Sequence, residues 1–257
     1  MKIQITFLVI FFSIGLFAQP QIIAHRGASY LAPENTVAAA SLAWELNADA
    51  VEADIYLTTD NRVMVIHDKD TKRTCSGKKN MKIADTPSEV LREMDAGVWK
   101  GEKYKGEKIP FLSEIIETVP PQKTLVVEIK CGSEVLPHLK RVVENSGKED
   151  QIIFIAFGWD TIMDTKKVFP ENKCYWLSSS KGGLKNKMEQ IAEKGLEGVN
   201  LNYKIIDEEV MQMASENKLE VLTWTVDDPA EAERLAGLGV AGITTNRPGW
   251  LKEQMND

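Results

Sequence analysis

Beyond residue 18 the apolar positions fall into two alternating kinds. Short runs rich in valine and isoleucine have the look of buried strands. Between them apolar residues recur every third or fourth position, the period of an amphipathic helix. Strands are expected over 21–27, 50–57, 63–67, 124–130, 151–157, 173–179, 198–202, 220–226 and 240–245, and helices over 36–47, 113–119, 134–145, 160–168, 184–194, 207–217, 229–238 and 248–254. Most of the helices open on a residue suited to capping: Asn35, Ser113, Asp160, Asp207, and Asp228 before Pro229. Alternation of this kind is the signature of a parallel α/β protein.

One of these strands is surplus to an eightfold barrel, and it can be identified. Only residues 58–62 separate the second run from the third. A parallel crossover needs a dozen or more residues, so this connection must be an antiparallel hairpin, and Thr59-Asp60-Asn61 supplies its turn. Eight parallel strands remain, each followed by a helix, in a length close to the roughly 250 residues of a (β/α)8 TIM barrel. The expected organisation is one barrel domain over 19–257, with an insertion after the second strand at about 60–110. Its irregular part, 69–110, is rich in Lys, Gly, Asp and Thr and carries one helical run, 88–95. It extends a βα connection, on the face where barrels carry their chemistry, so it reads as a cover over a site; surface decoration is the plainer alternative.

The first 18 residues do not belong to that pattern. Lys2, an apolar run over 3–17 and Ala18 make a secretory signal peptide, although Leu16 stands where a small residue is usual. The run is too short and too early for a membrane span, and no cysteine follows it to take a lipid anchor. The expectation is export to a periplasmic or extracellular space, with no stable membrane insertion after cleavage. Composition narrows the partners. With 31 basic against 38 acidic residues, a net charge of -7, the chain lacks the footprint of a nucleic-acid binder. An anionic substrate would need a local site to attract it. Three cysteines without a CxxC spacing exclude a disulfide framework and a cysteine zinc site.

Two of the three histidines, His25 and His67, fall at the ends of expected strands, where a pair of imidazoles can serve as general acid and base. Glu52 and Asp54 are two apart on one strand, and Glu128 and Lys130 repeat the spacing on the next barrel strand, so each pair shares a face. Their strand neighbours are apolar. Three carboxylates among such residues are costly to bury unless neutralised. A structural network with Lys130 and Arg26 would do this; the sharper reading is a divalent site formed by Glu52, Asp54 and Glu128. All-oxygen ligation favours Mg2+ or Ca2+ over zinc, with a lean to Ca2+ if the protein is exported. Arg26 and Lys130 beside that cation would attract a phosphate, and the whole suits phosphodiester cleavage.

The motifs His25-Arg26-Gly27, Pro33-Glu34-Asn35-Thr36, Glu52-x-Asp54, His67-Asp68, Val127-Glu128-Ile129-Lys130 and Trp224-Thr225-Val226 together resemble the glycerophosphodiester phosphodiesterase family, along essentially the whole chain after residue 18. The resemblance implies a TIM barrel, one divalent cation (Ca2+ or Mg2+), and hydrolysis of a small glycerophosphodiester to an alcohol and sn-glycerol 3-phosphate. It implies His25 and His67 as the acid/base pair, Glu52, Asp54 and Glu128 as metal ligands, and Arg26 and Lys130 as phosphate contacts. Glu34 would line the site, beside His25 or the metal. Asn35 reads equally as a helix cap, Asp68 either orients His67 or shapes its loop, and Trp224 either packs on the substrate's carbon skeleton or fills the core. Asn202 and Tyr203 are weaker candidates; Cys131 reads as a small buried hydrophobe and His138 as a surface residue. The nucleophile is water or the substrate's own 2-hydroxyl. The rival functions are a phospholipase D-like or sphingomyelinase D-like lipid phosphodiesterase on the same barrel, and a non-catalytic binding protein on this scaffold.

Overall fold

Eight short apolar runs become the staves of a closed parallel barrel in the computed structural model, which describes residues 19–77 and 79–255. The expected signal peptide, 1–18, lies outside the described residues. The barrel strands are β1 (Gln21–Ala24), β2 (Ala50–Leu57), β4 (Thr124–Ile129), β5 (Ile152–Ala156), β6 (Cys174–Ser178), β7 (Gly198–Asn202), β8 (Glu220–Trp224) and β9 (Gly242–Thr245). Each pairs in parallel with its neighbour, and β1 closes the ring by pairing with both β2 and β9. The extra strand, β3 (Val63–Val65), runs antiparallel along β2 with Ile55 opposite Val65, as the short connection requires.

Among the described residues eight helices cover the barrel: α1 (Val37–Glu45), α3 (Leu112–Thr118), α4 (Leu136–Glu144), α5 (Trp159–Val168), α6 (Leu184–Glu193), α7 (Glu208–Glu216), α8 (Pro229–Leu238) and α9 (Pro248–Gln254). The short α2 (Ser88–Leu91) belongs to the insertion. Asp207 and Asp228 cap α7 and α8 as expected, but three other caps differ. Thr36 rather than Asn35 caps α1, because the Asn35 side chain is taken by Asp54. At α3 the first N–H, that of Phe111, goes to Glu114, which puts Ser113 inside the helix. Gly158 precedes α5, so Asp160 lies in its first turn, where a carboxylate complements the helix dipole.

Strand alternation sorts the side chains into two layers. On β2 and β4, Val51, Ala53, Ile55, Leu125, Val127 and Ile129 face the helices and join the main core. Ala50 and Val126 face inward, with Ile23, Ile155, Tyr175, Leu177 and Leu222. The interior is filled: a Cβ on Gly242 would sit 2.9 Å from Leu222 and 3.1 Å from Ile23. Glu52, Asp54 and Glu128 share the parity of Ala50 and Val126, so they rise from this apolar plug toward the carboxyl ends of the strands.

The insertion has a small core of its own, Met64, Ile66, Ile83, Leu91, Ala96 and Ile109. It leans on the loop that follows β1: Lys100 Nζ donates to the Ser29 carbonyl at 2.7 Å and the Tyr104 hydroxyl to that of Leu31 at 2.9 Å. Among the described residues no helix is long and apolar enough to cross a membrane.

Candidate active site

Strand β1 ends at Ala24 and the chain turns at once. Arg26 (φ 56°) and Gly27 (φ 78°) both take the left-handed conformation. Gly27 is obligatory, since a Cβ there would meet the Ala39 carbonyl carbon of α1 at 2.5 Å. The left-handed Arg26 costs about 1 kcal/mol. It is held by its own N–H, donated to Glu52 Oε2 at 2.9 Å, and by its carbonyl, which accepts from Asn35 N at 3.0 Å. This turn aims the guanidinium inward, with Nη1 2.8 Å from Glu34 Oε1 and Nε 3.4 Å from Asp54 Oδ2. Asn35, itself left-handed at φ 59°, exchanges two hydrogen bonds with Asp54: its Nδ2 donates to Oδ2 at 2.8 Å, and Asp54 N donates to Asn35 Oδ1 at 3.2 Å.

The β2–β4 register sets Asp54 opposite Glu128, with Glu52 one pleat below. Glu52, Asp54 and Glu128 each offer an oxygen, and the three atoms lie within 4.8 Å of one another. Lys130 Nζ sits 2.8 Å from Glu128 Oε1 and 3.5 Å from Asp54 Oδ1. These two cations leave the group incompletely matched. Glu52 Oε1 and Asp54 Oδ1 are buried without a hydrogen-bond donor. Burial, then repulsion from Asp54 and Glu128, pushes the Glu52 carboxyl well above its usual range. Burial and Asp54 likewise push Glu128 up to about 7, against the pull of Lys130. A buried cluster of hard oxygens, short of positive charge and with two lone-pair atoms unused, is a set able to hold a divalent cation.

His25 and His67 stand on the wall of the same small cavity, about 110 Å3, with Arg26, Glu52, Glu128 and Lys130. Both are held through Nδ1, by different partners. His25 Nδ1 lies 2.8 Å from the Asn246 side-chain oxygen, whereas His67 Nδ1 lies 2.7 Å from a carboxylate oxygen of Asp68. Burial, with Arg26 adding to it, lowers His25 to about 4. Asp68 is held at about 2, chiefly by hydrogen bonds from Arg73. Arg73 comes from the insertion and clamps both Asp68 and Glu34, with contacts of 2.7–3.0 Å. Burial alone would raise the Glu34 carboxyl, but Arg73 and Arg26 outweigh it and hold that group at about 2. Glu34 therefore braces two arginines rather than His25.

The opposite wall is apolar: Ile155, Phe157, Leu177 and Trp224, with Phe157 and Trp224 edge to face at 5.6 Å. The Trp224 indole N–H donates to the Asn200 carbonyl at 3.2 Å, and Asn200 Oδ1 is buried without a donor. A roomier hollow of about 880 Å3 lies at the other end of the barrel, lined by residues such as Gln21, Thr124, Lys173 and Glu220. It gathers neither histidine nor the acidic cluster, so volume does not mark the site here.

A model of the glycerophosphoryl diester phosphodiesterase family matches residues 25–250. The chain belongs to that family. Membership makes it an enzyme and removes the non-catalytic scaffold from the readings left open by the sequence. Relatives agree. A glycerophosphodiester phosphodiesterase of Caldanaerobacter subterraneus subsp. tengcongensis is 34% identical over 88% of this chain and 94% of its own. The structure of an Oleispira antarctica phosphodiesterase in complex with its product sn-glycerol 3-phosphate is 28% identical with a TM-score of 0.85, covering 93% of this chain and 98% of that one. The glycerophosphodiester phosphodiesterase structure of Thermotoga maritima is 26% identical with a TM-score of 0.73, covering 92% and 98%.

Of the residues singled out in the sequence, the barrel gathers His25, Arg26, Glu34, Asn35, Glu52, Asp54, His67, Asp68, Glu128, Lys130 and Trp224 around this one cavity or one bond behind it. Asn202 caps the following turn through Lys204 N, and Tyr203 borders a different hollow. His138 pairs with Arg141 on α4, and Cys131 packs against the outer core. Sequence reasoning missed Arg73, Phe157, Asn200, Asp227 and Asn246. Two signals were available. Phe157 and Asn200 sit at the inward parity of their strands, and Asn246 follows the last strand, which in a closed ring must flank the first.

Proposed function

We propose that this enzyme hydrolyses small glycerophosphodiesters to an alcohol and sn-glycerol 3-phosphate, using one divalent cation, Ca2+ or Mg2+, and the pair His25 and His67. The observation that carries the reading is the division of one cavity. On one side stand two histidines, Arg26, Lys130 and an acidic cluster; the rest of the lining is uncharged, Ile155, Phe157, Leu177 and Trp224 with Asn200, Thr225 and Thr244. A phosphodiester has the matching polarity, an anionic centre flanked by carbon substituents. The product complex of the Oleispira antarctica relative supports the same substrate class.

Glu52, Asp54 and Glu128 would hold the cation, and their unused oxygens and raised carboxyls fit a divalent ion with oxygen ligands. When bound, it supplies positive charge that stabilises the phosphoryl oxygens. Arg26 and Lys130 orient the phosphate from either side of the cluster. His25, kept neutral at pH 7 by burial and by Arg26, takes the proton of the nucleophile, which is water or the substrate's own 2-hydroxyl; the latter forms a cyclic phosphate that water then opens to sn-glycerol 3-phosphate. His67, backed by the Asp68 carboxylate, gives its proton to the leaving alkoxide; such a partner steadies an imidazole that carries a proton to be given away. Trp224 and Phe157 pack against the carbon skeleton. The small cavity favours a soluble diester over the long-chain lipid of a sphingomyelinase D-like or phospholipase D-like enzyme. Export through residues 1–18 belongs to the same proposal.

The test is release of sn-glycerol 3-phosphate from glycerophosphocholine, in EDTA and after restoring Ca2+ or Mg2+, for the wild type, His25→Ala and His67→Ala. Cation-dependent release lost in both variants is expected. No release with any cation would sink the substrate class and send the assay to lysophospholipids and sphingomyelin.

A further inference from the structure

In a closed barrel the last strand lies beside the first, and here that adjacency reaches His25. The His25 N–H donates to the Thr245 carbonyl at 2.9 Å, and the next residue, Asn246, turns its side-chain oxygen to His25 Nδ1 at 2.8 Å. Asn246 is itself fixed from the β8–α8 loop. Its Nδ2 donates to Asp227 Oδ2 at 2.7 Å and its backbone N–H to Asp227 Oδ1 at 2.8 Å; the Thr245 hydroxyl donates to Asp227 Oδ1 at 2.8 Å as well.

The chain of bonds permits one orientation. A carboxylate accepts only, so the amide NH2 of Asn246 must face Asp227 and the amide oxygen must face His25. That oxygen also accepts only, and it takes the Ser29 hydroxyl at 3.1 Å too. The proton between it and the ring therefore sits on Nδ1, and the lone pair is left on Nε2.

We propose that Asp227 and Asn246 are positioning residues that set the tautomer of His25, leaving Nε2 as the proton acceptor. The inference deepens the reading of His25 as the base and rests on it. An amide in the middle of the chain has a physical advantage here. It transmits the orientation imposed by Asp227 without placing another anion directly against a site that already gathers Glu34, Glu52, Asp54 and Glu128.

Asp227→Asn should undo the arrangement, because a second amide lets Asn246 rotate and present its NH2 to the ring. The double variant Asp227→Asn with Asn246→Asp exchanges the two groups and should restore it: the carboxylate at 246 accepts from both neighbours. Tautomers are read directly from the 15N shifts of the imidazole in histidine-labelled protein near pH 8. The chain has only three histidines, and His67→Ala and His138→Ala complete the assignment. The wild type and the exchange variant should show Nδ1–H at His25, and Asp227→Asn should show Nε2–H. In parallel, kcat on glycerophosphocholine should fall about 100-fold in Asp227→Asn with KM little changed, and return to within about tenfold in the exchange. Nε2–H in the wild type overturns the proposal without any variant. So does an Asp227→Asn protein that keeps both Nδ1–H and its kcat. A correct tautomer pattern together with turnover that persists in His25→Ala would uphold the positioning chain and sink the base assignment.

Discussion

Replacing Glu128 by Gln should stabilise the cation-free protein, and by an amount that depends on pH. Burial first, and Asp54 second, raise the Glu128 carboxyl from 4.5 to about 7 in the folded protein. The folded state therefore binds this proton more tightly than the unfolded chain. Stability falls as pH rises from about 4.5 to about 7, and above that the whole contribution is lost. At 1.36 kcal/mol per pH unit the penalty reaches about 3 kcal/mol at pH 8. Glutamine imitates the protonated carboxyl, so the variant escapes a cost that the wild type incurs. For a domain of this size each kcal/mol moves Tm by roughly 2–4 °C, so the variant should melt about 6–12 °C higher at pH 8 in EDTA and almost level with the wild type at pH 4.5.

The wild-type profile alone would mislead. His25, lowered by burial and Arg26 to about 4, acts in the opposite sense: between about 4 and 6.5 the unfolded chain binds more protons, and stability rises with pH. The two slopes largely cancel over that interval, so the difference between variant and wild type is the readout; Glu52, which Glu128 repels, is relieved in the variant as well and adds to that difference in the same direction. The assay is calorimetry of both proteins in EDTA at pH 4.5, 6 and 8, repeated with Ca2+ or Mg2+. Cation should raise the Tm of the wild type at pH 8, by about 2.7 kcal/mol of stability at 100 times its Kd, and should scarcely move the variant. A Tm difference that does not change with pH, or a variant that melts below the wild type at pH 8, would refute the reasoning about this cluster.

Gly27→Ala should lose about 3 kcal/mol, from the left-handed backbone and from a Cβ forced against the Ala39 carbonyl, and denaturant melts should show it; a loss under 1 kcal/mol would mean that α1 yields easily. Arg73→Ala should cost about 1 kcal/mol or less in stability, because the side chain is 44% exposed, yet lower kcat at least tenfold as Asp68 and Glu34 lose their shared clamp. Steady-state kinetics beside a thermal melt separate the two effects, and Arg73→Lys should not rescue a clamp that needs the guanidinium fork. Trp224→Ala should raise KM for glycerophosphocholine several-fold more than it lowers kcat; an unchanged KM would assign the indole to packing with Phe157 alone.

What could be read in advance follows a physical division. The barrel was legible because its rules are local and arithmetical: runs that alternate in period, and a connection over 58–62 too short for a parallel crossover. The centre of the site was legible for the same reason. Residues two apart on a strand share a face, so Glu52 with Asp54 and Glu128 with Lys130 announce two charged pairs inside an apolar sheet. The misjudged caps show where local rules fail. Asn35 is a good capping residue by propensity, but a buried Asp54 that offers two hydrogen bonds outbids a helix end.

The residues that were not legible act across distances that sequence spacing does not encode. Arg73 reaches Glu34 from an irregular insertion whose path depends on its own small core, and no periodicity predicts where its guanidinium ends. Asn246 is a different case, because the information was present and unused. Strand order in a closed barrel is cyclic, so once eight parallel strands are accepted the end of β9 must flank the end of β1, however far apart the two stand in the chain; the register that pairs Ala24 with Thr245 then sets residue 246 beside residue 25. A polar Asn just past the last strand was therefore a candidate neighbour for the residues that end the first, and the register singles out the His25 ring. Closure constrains which strand ends are neighbours as firmly as parity constrains which side chains share a face, and with the β1–β9 register it leads from residue 246 to the ring of His25, the base of the proposed reaction.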